Sequence, residues 1–121
     1  MSPALWAGVL VIGGVGSVAR FVVDRAVARR VTGGLPFGTL TVNVSGAFLL
    51  GLLTGTAPGA TVALLAGTAF LGAFTTFSTW MLETDRLGEE RQIRTAVANI
   101  VLSMLCGLAA AAAGYLLGNL L

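Results

Sequence analysis

The chain has 121 residues, 56% of them apolar and 10% charged, with a formal net charge of +2 and a mean hydropathy of +0.94. So little polar surface cannot clothe a soluble globule of this length, and the sparse charge excludes a nucleic-acid binder, so lipid is the expected solvent. A hydrocarbon core about 30 Å thick takes roughly 20 helical residues to cross, so the length accommodates four spans with no room for a separate soluble domain.

The expected architecture is an all-α, single four-helix transmembrane domain over residues 1–121, with spans at about 4–27, 37–55, 61–82 and 95–117. The first apolar stretch, Ala4 to Val18, lacks the basic flank and A-x-A site of a signal peptide and reads as a retained span. Arg29, Arg30, Thr32, Gly33, Gly34 and Pro36 then form a polar turn, and Pro58 marks the turn after the second span. A charged connector, Glu83 to Arg94, leads into the fourth span. Small residues recur at Gly13 and Gly16, Gly51 and Gly55, and Gly114 and Gly118, a spacing that lets helix backbones approach closely in lipid. The lone cysteine, Cys106, has no partner within the chain.

Every basic residue is arginine. Arg25, Arg29, Arg30, Arg86, Arg91 and Arg94 fall on the face of the first and third loops, and the termini and the loop at Pro58 carry none. The positive-inside bias predicts cytoplasmic first and third loops, with both termini outside an inner (plasma) membrane.

Polar side chains inside the spans need a partner or a water-filled path. The second span gathers Thr39, Thr41, Asn43 and Ser45. Asn43 suits either an interhelical hydrogen bond or N–H donation to a passing anion. In the third span Thr76, Thr79 and Glu83 share a face at i, i+3, i+7, and Phe74, Phe77 and Trp80 form a second stripe. Such a stripe serves core packing, or else turns positive ring edges toward an anion. Gly72, just before Thr75 and Thr76, invites a break in this helix that exposes carbonyl oxygens able to hold a monovalent cation. Asn99 and Ser103 add a short polar strip on the fourth span. Arg20 either snorkels, pairs with Asp24 at i+4, or draws anions into a vestibule.

Three motifs in order, Gly13-x-x-Gly16-x-x-x-Arg20-Phe21, Gly38-Thr39-Leu40-x-Val42-Asn43-x-x-Gly46-x-Phe48-Leu49-Leu50-Gly51 and Gly72-x-x-Thr75-Thr76-Phe77-Ser78-Thr79, resemble the CrcB/Fluc fluoride channels. The resemblance implies an antiparallel dimer of the dual-topology type, with narrow pores passing fluoride passively out of the cytoplasm and no catalysis. It implies a structural, untransported Na⁺ held by backbone carbonyls at Gly72 and Thr75. It matches the fluoride pore to Asn43, Thr76, Phe77, Thr79, Trp80, Asn99 and Ser103, with Arg20 and Glu83 at the vestibule. Trp80 stands where the family usually has phenylalanine, Asn99 replaces a frequent tyrosine, and the hydroxyl track ends at Gly107 and Ala111. Some members of the family form homodimers and others pair with a paralogue of opposite orientation; the one-sided arginines favour an inverted paralogue here.

Two rival readings stand beside this one. A small inverted-dimer exporter of drugs or guanidinium needs a carboxylate within the first span, and Asp24 lies at its end. A non-conducting scaffold subunit of a heterodimeric channel accounts for the glycines and Trp80 but not for the hydroxyl cluster beside a helix break. An enzyme is not expected, since the chain has no His and no paired acids within a span.

Overall fold

Four helices long and apolar enough to cross a membrane make up the computed structural model, which describes residues 1–121. The first, Pro3–Arg30, starts where Ser2 Oγ accepts the Leu5 N–H at 3.1 Å and Pro3 fills a position that needs no N–H. Arg29 and Arg30 occupy its last turn, where cations suit the carbonyl end of a helix dipole. The second helix is Phe37–Gly55, the third span covers Ala60–Glu89, and the last helix is Ile93–Asn119.

Two helix ends lie beyond the hydropathic boundaries. Arg29 and Arg30 are helical rather than part of the turn, and the third span runs through Glu89, so most of the charged connector is helix. Hydropathy marks where lipid ends, whereas a helix ends where a breaker or cap stops it. Glu83, Arg86 and Leu87 are good helix formers that carry the winding out into water. The turn itself is Glu90 to Gln92, with Arg91 at a φ of 62°.

The third span is irregular throughout its first half. A short α-helical entry, Ala60–Val62, gives way to π-helix over Ala63–Leu71 and then to one α-helical turn, Gly72–Phe74. Thr75 is extended, at φ −83° and ψ 160°, and a fresh helix starts at Ser78 and continues to Glu89. The expected break is therefore present. It falls at residues 75–77, three residues after Gly72, which is itself helical at φ −61° and ψ −38°.

The second and last helices pack most intimately, and their glycine pairs mesh with each other. A Cβ at Gly51 would strike the Ala111 carbonyl and one at Gly114 the Phe48 carbonyl, while Gly55 and Gly118 are equally crowded one turn along. Lipid supplies no hydrophobic drive between helices, so this close van der Waals approach is what joins them. On the other side Gly16 lets the first helix lie against the Phe70 carbonyl. Val42, Leu71 and Phe74 form the buried core between these layers, with Ala19, Val23 and Phe70 packed around them. Only 13 of 121 residues are buried, which leaves most apolar side chains facing outward, as lipid solvent requires.

Candidate functional site

The break in the third span is held open by side chains. Asn43 Nδ2–H donates to Thr76 O at 2.8 Å, and the Thr76 N–H donates to Asn43 Oδ1, also at 2.8 Å. Just beyond, the Thr79 N–H donates to Thr76 Oγ1 at 3.2 Å and caps the new helix. In an unbroken α-helix those two N–H groups would close on the carbonyls of Gly72 and Thr75. Both carbonyls are thus deprived of their helical partners. Thr75 Oγ1 turns back to Leu71 O at 3.0 Å, and its methyl group packs onto Gly46, where any side chain would collide with it.

An open-sided groove of about 580 Å³ runs beside this break, and Asn43, Gly72, Thr75, Thr76, Phe77 and Trp80 line it together. Phe77 is 70% exposed and meets Trp80 edge to face, with ring centroids 5.7 Å apart at 81°. Phe74 does not share this face: it is buried beside Val42 and Leu71 and stacks on Phe70. The expected aromatic stripe is therefore split, because three non-helical residues shift the helical phase between Phe74 and Trp80. Thr79 and Glu83 stay one turn apart on the continuous helix Ser78–Glu89, while Thr76 lies before that helix and meets Thr79 as a cap.

The remaining site residues lie elsewhere. Arg20 Nε–H reaches Ala73 O at 3.4 Å and so meets the carbonyl end of the first half of the third span, a partner distinct from Asp24, which was one of the three alternatives. Glu83 borders a separate pocket of about 240 Å³ with Gly33, Gly34, Arg86 and Glu90. Asn99 is 2% exposed and donates to Thr84 Oγ1 at 2.9 Å, away from the groove. Ser103 Oγ, Thr39 Oγ1, Trp80 Nε1 and one oxygen of Glu83 are buried without a protein partner. Thr84 escaped the sequence reading, although a buried carboxamide at Asn99 demands a partner and Thr84 is the hydroxyl one turn past Trp80.

The family described as CrcB-like protein, Camphor Resistance (CrcB), matches residues 7–115. A Mycolicibacterium paratuberculosis protein named Fluoride-specific ion channel FluC 2 is 66% identical over 117 residues, covering 97% of this chain and 96% of its own. One of the same name from Mycobacterium bovis is 62% identical over 114 residues, covering 94% and 90%. Fluoride-specific ion channel FluC 1 of Geobacillus kaustophilus is 44% identical over 104 residues, covering 86% and 89%.

Proposed function

The chain belongs to the CrcB-like family, and from that membership we propose that it is a fluoride-specific channel through which fluoride leaves the cytoplasm passively. The family is one of ion channels, so transport rather than catalysis is the activity assigned. The observation that carries the reading is the groove in which Asn43, Thr76, Phe77 and Trp80 flank a clamped helix break. Fluoride is small and strongly hydrated, so a pore must replace its water with N–H and O–H donors and positive ring edges, without the tight hold of an arginine. Asn43 spends one N–H on Thr76 and keeps the second for an anion. Thr79, Asn99 and Ser103 do not line this groove; of these Ser103, with its unpartnered hydroxyl, best fits a donor further along the path.

The groove is open on one side, which supports an antiparallel dimer in which a second subunit closes it. The partner is an inverted paralogue rather than an identical chain, since the arginines outside the spans all lie at one end. The numbering of the relatives, FluC 1 and FluC 2, is in keeping with paralogues in this family. In this arrangement the first and third loops are cytoplasmic and the termini outside. The carbonyls of Gly72 and Thr75, stripped of their helical N–H partners, fit a structural Na⁺ at the subunit interface: neutral, hard oxygen donors suit a monovalent cation. That ion would tie two broken helices together without itself moving.

Expression in a bacterium stripped of its own fluoride exit path, alone and together with an inverted relative, tests the function. Restored growth in fluoride is the expected result, and unrelieved inhibition in both cases would overturn it.

A further inference from the structure

The second half of the third span, Ser78–Glu89, carries Trp80 into the groove, yet it joins the first half only through the three non-helical residues 75–77. At its other end a short turn, Glu90 to Gln92, leads into the last helix. A helix strung between two such joints needs a side-chain anchor to keep its rotation fixed. A side-chain hydrogen bond from Asn99 Nδ2–H on the last helix to Thr84 Oγ1 at 2.9 Å supplies one. The Thr84 hydroxyl in turn donates its only proton to Trp80 O at 2.8 Å. Thr84 thus uses its acceptor on one neighbour and its donor on the other, and the carboxamide reaches the backbone of Trp80 in two steps.

We infer that Asn99 and Thr84 are positioning residues that fix where the Trp80 ring stands in the groove, and that Asn99 does not itself touch the permeating ion. Asn99 is almost wholly buried and takes no part in lining the groove, whereas Trp80 lines it beside Phe77. Two carboxamides therefore pin the broken span at two points: Asn43 holds the break, and Asn99 holds the helix that leaves it. The inference rests on the groove being the ion path.

The test uses Thr84→Val, which keeps shape but loses both hydrogen bonds, Thr84→Ser, which keeps the hydroxyl, Asn99→Leu and the Val/Leu double variant. Each is made in a Trp6→Phe background so that Trp80 is the only tryptophan, and is measured for fluoride-over-chloride discrimination in vesicles and for Trp80 emission. Thr84→Val and Asn99→Leu are each expected to shift the Trp80 emission and to lower discrimination roughly three- to tenfold. The double variant should be no worse than the poorer single one, because both remove one link, and Thr84→Ser should behave as the parent. Loss of discrimination in Asn99→Leu alone, with Thr84→Val normal, would mean direct ion contact and overturn the inference, as would unchanged Trp80 emission in both. A parent that passes no fluoride either alone or together with an inverted relative would instead refute the channel reading, and the emission of Trp80 would still decide whether the anchor exists.

Discussion

Asn43 and Thr76 are joined by a two-way hydrogen bond, in which the carboxamide gives one N–H to the threonine carbonyl and takes the threonine N–H in return, both at 2.8 Å. The carboxamide thereby replaces the helical bonds missing at the break, and in a membrane no water stands ready to do so. A break at this depth exists because a side chain from the neighbouring helix completes it.

Asn43→Leu is expected to leave the Thr76 N–H and carbonyl unpaired, at a cost of about 1–3 kcal/mol, and to abolish fluoride passage together with the clamp. Thermal unfolding in detergent and vesicle efflux check the two effects. A variant that kept both stability and flux would show that the bond holds nothing.

Ser103→Ala separates a transport role from a structural one. The hydroxyl is buried with no protein partner, so its removal should leave stability unchanged or raise it by up to about 1–3 kcal/mol while slowing fluoride efflux. Reduced stability with unaltered efflux would mark it as packing.

Trp80→Phe trims the ring that narrows the groove and removes an indole N–H that lacks a partner. Fluoride throughput is expected to rise several-fold with no loss of thermal stability, as read by efflux rate and unfolding midpoint. An unchanged or lower rate would mean that the indole does not limit passage.

Orientation is read by single cysteines in a Cys106→Ser background. Arg29→Cys should react only with reagent on the cytoplasmic side, and Ala57→Cys only with reagent outside, because arginines are retained inside. Equal labelling from both sides would contradict a fixed orientation and favour a homodimer.

Much of this arrangement was legible in the residues. Four apolar stretches announced four helices, Gly51, Gly55, Gly114 and Gly118 announced a close contact, and Gly72 with Thr75 and Thr76 announced a broken third span. The structure adds that the two glycine pairs face each other, which spacing along one helix cannot reveal. Phase was the harder property. Periodicity counts residues along a continuous helix, so a break at residues 75–77 separated Phe74 from Phe77 and Trp80. Partners distant in sequence were hidden for a related reason. Arg20 finds the Ala73 carbonyl and Asn99 finds Thr84 because of how the helices stack, while sequence spacing offered only Asp24, at i+4, to Arg20.

The central claim, that this chain forms a path for fluoride, is met most directly by anion release from vesicles in sodium buffer, with the protein reconstituted alone and with an inverted relative. A fluoride-selective electrode should record rapid release of fluoride in at least one of these preparations while loaded chloride is retained. Retention of fluoride in both, or release of chloride at an equal rate, would contradict the account.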